Sequence, residues 1–287
     1  QKISKVPLLI AMDAEWGAGM RLSNVEKFPF QMTLGAIRDD SLIYRLGAAV
    51  ASQFIRLGMH VNLAPVADIN INPKNPVINY RSFGENRENV SGKTIMYMKG
   101  MQDNGITATM KHFPGHGDTN IDSHNDLPVI LHSRSRLDSI ELYPFRKLIG
   151  AGAGSIMTAH LNLPSLDSSS GVPSTLSPVI INNLLKKELG FRGLIITDAM
   201  NMQGITRYHQ AGEADAMALA AGNDIIEYVT DVEAAIKETK SYISSKKIST
   251  EDIGLKCRKI LALKYWSGLN SINTISPEDI ENYLSPA

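Results

Sequence analysis

Residues 111–128, KHFPGHGDTNIDSHNDLP, gather a lysine, three of the chain's seven histidines and three aspartates directly behind a short apolar run. Histidine titrates near neutrality, so an imidazole held by a carboxylate is a ready proton carrier. Asp122 and His124 stand two apart, and in an extended segment such residues point the same way. The carboxylate can then accept from one ring nitrogen and raise the basicity of the other, which makes His124 a candidate acid/base. The competing reading is a loop pair that merely satisfies itself. Thr, Asn, Asp, Gly, Pro and Ser fill the rest, and from 113 to 136 there is neither a helical nor a strand period. A stretch that long inside a compact domain is usually a functional loop; a solvated surface loop is the alternative.

Asp198 is the second candidate. It follows a four-residue apolar strand and Thr197, and a carboxylate there is costly to bury unless it is solvated, paired or used. A structural salt bridge or a helix cap competes with a nucleophile's role. Lys111 and His112 come next. Neighbours at a strand end face opposite ways, so both reach one pocket only if the strand twists or breaks, and Phe113-Pro114-Gly115 supplies a break. His116 and Asp118 are expected to brace the loop. His112, His116, Asp118, Asp122 and His124 are all potential metal ligands. No zinc helix motif is present and the groups crowd a Gly-rich loop, so neither a metal nor a cofactor is expected.

These residues must be held by strands and helices. Apolar runs at 6–12, 60–66, 106–110, 154–158, 193–197 and 224–229 read as buried strands. Helical patterns fill 41–57, 90–104, 137–150, 177–189, 209–221, 231–244 and 250–266, with Asp39 and Asp40 before the first and Gly58 after it. Alternation of this kind predicts a parallel sheet covered by helices. Five of the six strands carry a polar residue at or just past the carboxyl end: Asp13, Asp68, Lys111-His112, His160 and Asp198. Polar groups collected on one rim are the pattern of a (β/α)8 barrel. A doubly wound sheet would gather them at one switch point, and no Gly-x-Gly-x-x-Gly follows any strand. Six strands are two short of eight, so the first two strand–helix units are expected to be missing from this chain: it is a fragment or processed form, takes them from another chain, or forms an incomplete barrel. The barrel domain is placed at 6–268 and a polar tail at 269–287.

Composition narrows the function. The 287 residues hold 29 Lys plus Arg against 29 Asp plus Glu, so no basic excess recommends nucleic acid. No apolar run reaches the roughly 18 residues of a membrane span. The single cysteine, Cys257, excludes an intrachain disulfide and sits in a helical pattern, where an inert core position is expected. The chain starts at Gln1 rather than Met, so the compartment stays open between bacterial cytoplasm and periplasm, and the oligomeric state is not fixed.

The central segment resembles the signature of glycoside hydrolase family 3, in its bacterial exo-β-N-acetylglucosaminidase branch. Asp13 with its acidic, Gly-rich loop, Arg81-Ser-Phe-Gly84 and Thr197-Asp198-Ala-Met-Asn-Met202 extend the likeness over almost the whole chain. The resemblance implies a (β/α)8 barrel that releases non-reducing terminal β-GlcNAc, often from peptidoglycan fragments, without a cofactor. By position it implies that Asp198 is the nucleophile and His124 the acid/base, assisted by Asp122. Asp13, Arg81, Lys111 and His112 form the implied sugar-binding set. The first loop reads Asp-Ala-Glu-Trp-Gly-Ala-Gly where many members have Asp-Gln-Glu-Gly-Gly, a difference placed beside that set. Other outcomes remain: a phosphorylase, since a His acid/base repels phosphate less than a carboxylate would, another β-glycosidase of the same family, a metal-dependent hydrolase, and a non-catalytic carbohydrate-binding fragment.

Overall fold

The computed structural model describes residues 4–123, 125–169, 171–271 and 275–284. Five parallel strands, β1 Ala11–Met12, β2 Val61–Asn62, β3 Thr107–Phe113, β4 Ser155–Thr158 and β5 Leu194–Thr197, pair in chain order as a curled half-barrel. A bridge between Ile196 and Ile225 continues the curl, so the expected sixth strand at 224–229 is reduced to one residue pair. The ladders at 6–12 and 60–66 are also shorter than their apolar runs. Pro65 offers no N–H and interrupts the second one; pairing resumes in the bridge from Val66 to Lys111. Leu8 and Ile10 stay exposed, and among the described residues β1 pairs with β2 on one side.

Helices cover the outer face. α1 Gln31–Gly35 precedes α2 Ser41–Leu57, which ends at Gly58 in the left-handed conformation, as the sequence predicts. α3 Arg87–Gln102 is capped by Asn86, whose side chain accepts from the Asn89 amide. The helix expected over 137–150 is broken into α4 Arg134–Ser139 and α5 Tyr143–Gly150, with Pro144 in the first turn of the second, where a missing N–H does no harm. A π-helix, Val179–Glu188, precedes β5. A short helix not expected from the sequence, α6 Gln203–Thr206, comes next, and the pattern at 209–221 shortens to α7 Glu213–Ala221, because Gly212 turns the chain ahead of it at φ 83°. α8 Val232–Ser244 and α9 Thr250–Trp266 match the predicted bounds within a residue, and Ser249 closes a capping box with Asp252. α10 Ile280–Leu284 lies in the predicted tail and reaches back to α2, where Tyr283 meets Ser52.

The main core lies between sheet and helices and includes Phe54, Tyr97, Met101, Met110, Phe113 and Phe145. A smaller cluster, Val61, Leu63, Met157 and Ile196, lines the inner face of the half-barrel. Cys257 is a correction: it is exposed. Only Lys256 is buried along α9, so a position beside it on that helix has nothing packed over it.

The two rims differ in chemistry. At the amino ends of the strands, Lys186 and Lys256 donate to the Gly222 and Asn223 carbonyls at 2.6 Å, closing the buried carboxyl end of α7. Conserving helix ends in this way is structural work. The carboxyl rim carries the site.

α2 and α3 approach so closely that glycine is required at the crossing. A Cβ on Gly100 would stand 2.1 Å from the Tyr44 carbonyl oxygen, and both atoms belong to rigid helices. Gly100→Ala is therefore expected to destabilise the fold by about 1–3 kcal/mol despite alanine's better helix propensity. Gly254→Ala, whose new methyl would meet only the Arg258 guanidinium at 3.7 Å, is expected to be neutral or stabilising by up to about 1 kcal/mol. Denaturant unfolding of both variants measures this; an equal effect of the two would contradict the packing argument.

Candidate active site

A cavity of about 230 Å³ opens on the carboxyl rim, lined by residues from five of the strand-end loops, Asp13, Arg81, Lys111, Asp198 and Glu227 among them. Lys111 is the hub. It is buried, and its ammonium lies 2.7 Å from Asp13 Oδ1 and 2.9 Å from Glu15 Oε1. Arg81 meets the same Glu15 with two parallel bonds, Nη2 to Oε1 at 2.7 Å and Nε to Oε2 at 2.9 Å. That fork is the strong form of a carboxylate–guanidinium contact. Arg21 closes the row with an Nη2 bond of 2.9 Å to Asp13 Oδ2.

Two helices hold these loops in place. Tyr97 of α3 donates its hydroxyl to the Glu15 carbonyl at 3.2 Å, and Gln53 of α2 accepts from the Ala18 amide at 2.9 Å. Apolar faces of α2 and α3 thus fix the height of the acidic loop above β1. Burial alone would raise the Glu15 pKa, but Lys111 and Arg81 outweigh it and hold the group far below the usual carboxylate range. Burial would likewise lower Lys111; Glu15 and Asp13 raise it instead, so it stays charged.

Asp68 organises the histidines. Its Oδ2 takes the His112 ring Nδ1 at 2.6 Å, and its Oδ1 takes the His116 amide at 2.6 Å. His112 Nε2 then faces the cavity, 3.4 Å from Arg81 Nη2. Lys111 and His112 both line the cavity, although they are neighbours in a strand. The register shift between Met110 and Phe113 permits this, and it lies ahead of the break expected at Phe113-Pro114-Gly115.

Asp198 follows β5, and its Oδ1 accepts from the Ala199 amide at 2.8 Å. Burial pushes its pKa up, but His112, His160 and that amide outweigh the penalty, so the carboxylate is ionised. His160 is fully buried and does not line the cavity; its Nε2 donates to the Ala199 carbonyl at 3.1 Å and steadies the turn that carries Asp198.

His124 lies outside the described residues. Its neighbours are held from two sides. His116 Nε2 meets Ser123 Oγ at 3.0 Å, and burial keeps His116 neutral, with its pKa near 4. Tyr208 donates to Asp126 Oδ1 at 2.8 Å from the far side. The Asn125 and Asp126 amides both donate to the Asp122 carbonyl; the expected pairing of Asp122 with His124 falls outside the described residues. Asp118 braces the loop as expected, through His132 Nε2 at 2.7 Å. Asp118, His132 and Glu141 come within 4.8 Å of one another, but the Arg136 guanidinium already sits on Glu141 at 2.6 Å and supplies the positive charge.

The structure thus brings Asp13, Arg81, Lys111, His112 and Asp198 to one cavity. Sequence reasoning passed over Glu15 and Glu227. Glu15 stands two residues beyond Asp13, and Glu227 interrupts an apolar run; both signals were present. Among the described residues no helix is long and apolar enough to cross a membrane.

Comparison with known proteins places this site in a known setting. The model of the glycosyl hydrolase family 3 N-terminal domain matches residues 1–263. Beta-hexosaminidase A of Pseudoalteromonas piscicida is 35% identical over 288 residues, covering 92% of this chain and 48% of that protein. A solved structure of a glycoside hydrolase family 3 beta-N-acetylglucosaminidase from Paenibacillus sp. str. FPU-7 superposes with a TM-score of 0.89 at 38% identity, over 97% of this chain and 55% of that one. The beta-glucoside phosphorylase BglX superposes with a TM-score of 0.92 at 27% identity, over 99% of this chain and 53% of that one. The chain therefore spans about half the length of these three relatives.

Glu15 is the test of the charge network. Glu15→Gln leaves Lys111 and Arg81 facing each other with one partner gone, and a loss of about 3–5 kcal/mol is expected at pH 7. The native Glu15 pKa lies below its unfolded value near 4.5, so the wild-type advantage is present above that value and fades as pH falls below it. Denaturant unfolding at pH 7 and at pH 3.5 should show the gap narrowing. A gap independent of pH would contradict an ionised Glu15.

Proposed function

The chain belongs to glycosyl hydrolase family 3, and from that premise we propose that it is the catalytic half of a retaining, exo-acting β-N-acetylglucosaminidase that uses Asp198 as nucleophile. The observation that carries the reading is an ionised Asp198 in the same cavity as a fixed row of charged hydrogen-bonding groups. At about 230 Å³ the cavity lies below the ~300–1,000 Å³ of pockets for drug-sized ligands, a size suited to one terminal sugar ring.

In the proposed reaction the sugar hydroxyls bind to Asp13, Lys111, Arg81 and His112. Charged groups held in advance need little reorganisation as the ring flattens toward an oxocarbenium ion. The Asp198 carboxylate attacks C1 and forms an ester as the glycosidic C1–O bond breaks. His124, positioned by Asp122, gives its proton to the departing oxygen. The neutral imidazole then takes a proton from water, the water oxygen attacks C1, and Asp198 leaves as a carboxylate. Two inversions retain the anomeric configuration. The proposed substrate is an oligosaccharide ending in β-GlcNAc, of the kind found in peptidoglycan fragments, and the reading needs no cofactor.

The likeness to a beta-glucoside phosphorylase gives a second reading, in which phosphate replaces water in the second step and the product is a sugar 1-phosphate. The two share Asp198 and differ in acceptor and glycone.

Asp198→Asn is expected to lower kcat/KM on an aryl β-GlcNAc by several orders of magnitude, with unfolding midpoints unchanged within a few degrees. Undiminished turnover would end the assignment. His124→Ala is expected to slow glycosides of poor leaving groups far more than activated aryl glycosides, since only the former need a proton; equal losses would remove His124 from the role. Running wild type on aryl β-GlcNAc and β-glucoside, with and without phosphate, identifies acceptor and glycone.

A further inference from the structure

Among the described residues, Glu227 is the one cavity-lining acid whose side chain has no hydrogen-bond or ion-pair partner. Its backbone is pinned beside the nucleophile: the Glu227 amide donates to Thr197 Oγ1 at 2.9 Å, and its carbonyl accepts from the Met200 amide at 3.0 Å. The side chain reaches the same cavity as Asp13, Lys111 and Asp198. Its Oε2 is shut off from water and has no hydrogen-bond partner among the described residues. A buried polar atom left open in this way is costly unless something fills the place. Of the neighbouring acids, Asp13 is bonded by Lys111 and Arg21, and Asp198 Oδ1 by the Ala199 amide.

We propose, on the strength of the glycosidase reading above, that Glu227 is a specificity-determining residue of the sugar site, its carboxyl group hydrogen-bonding a hydroxyl of the bound glycone. The charge pattern around it fixes the direction of that bond. Burial first, then Asp13 and Asp198, raise the Glu227 pKa to about 8, while Lys111 and Arg21 oppose them too weakly to prevent it. At neutral pH the group is a carboxylic acid with an O–H to give. A sugar hydroxyl is donor and acceptor at once: it can accept from Glu227 while donating to an ionised acid such as Asp13. Two carboxyl groups in opposite protonation states grip one hydroxyl where two carboxylates would repel it. Above pH 8 Glu227 ionises, the donor is lost, and a fourth negative charge joins those of Asp13, Glu15 and Asp198 in the cavity.

The test compares wild type, Glu227→Gln and Glu227→Leu in the full-length protein. The glutamine keeps a neutral donor; the leucine keeps the volume and removes it. With the aryl β-glycoside that wild type turns over best, Glu227→Gln is expected to stay within about 3-fold of wild type in kcat/KM at pH 7 and to lose the fall in kcat/KM near pH 8. Glu227→Leu is expected to lose about 10-fold in kcat/KM, the worth of one hydrogen bond. Thermal unfolding gives a reading that needs no turnover. The native pKa lies above the unfolded value, so the contribution of the bound proton is full below about 4.5 and lost as pH rises through 8. Wild type should therefore fall in Tm relative to Glu227→Gln between pH 6 and pH 9. The rise in Tm on adding GlcNAc or glucose should shrink in Glu227→Leu. Parallel Tm profiles, or equal sugar-induced shifts, would overturn the proposal even if the enzyme is active. An enzyme inert toward every aryl glycoside would instead overturn the reading of function, and the sugar-induced shifts would still decide Glu227.

Discussion

Glu15 has almost no contact with water, and it stays charged there because Lys111 and Arg81 both reach it. Taking any of these ions out of water alone would cost several kcal/mol. Together they form a continuous circuit, open at its two arginine ends, in which every charge has a partner: Asp13 to Arg21 and Lys111, Lys111 to Glu15, Glu15 to Arg81. The circuit crosses the loops after β1, β2 and β3, so none of them can shift without leaving a buried charge exposed to low dielectric. The core beneath is arranged to serve it. Tyr97 and Gln53, on the buried faces of α3 and α2, bind the first loop and set its position.

The circuit also explains how acids in one small cavity take different states. Asp198 sits within reach of His112, His160 and a backbone amide and remains ionised. Glu227 is held protonated first by burial and then by the Asp13 and Asp198 carboxylates, which together outweigh the cations. Divergent protonation of like groups is how a single site supplies both a nucleophile and a donor at one pH. The geometry that separates them is modest: Asp198 and Glu227 hang from adjacent strand ends, Thr197 bonding the backbone of one while it precedes the other.

Much of this was legible in the chain itself. A polar residue closing an apolar run is conspicuous, and Asp13, Lys111, His112 and Asp198 were found that way; Arg81 came from the family likeness. Glu15 escaped because a Gly-rich loop hides which of its residues turn inward, and only the partners on distant loops reveal it. Asp68 was visible as a strand-end acid, but its hold on His112 and His116 depends on how two loops cross. Helix limits marked by their own caps, such as Gly58 and Ser249, could be read directly. Strand limits could not, because a ladder lasts only as long as its neighbour, and Pro65 cuts one short. The exposed Cys257 shows the same dependence: its helix has an apolar pattern, but burial is decided by what packs over it.

The central claim is that Asp198 forms the covalent bond to the sugar. A 5-fluoro glycosyl fluoride of the preferred glycone slows the second step more than the first and should trap the ester. Digestion and peptide mass mapping should then find one sugar attached to the peptide bearing Asp198, in wild type and not in Asp198→Asn. A label on Glu227 or Asp13, or turnover with inversion and no trapped ester, would contradict the account.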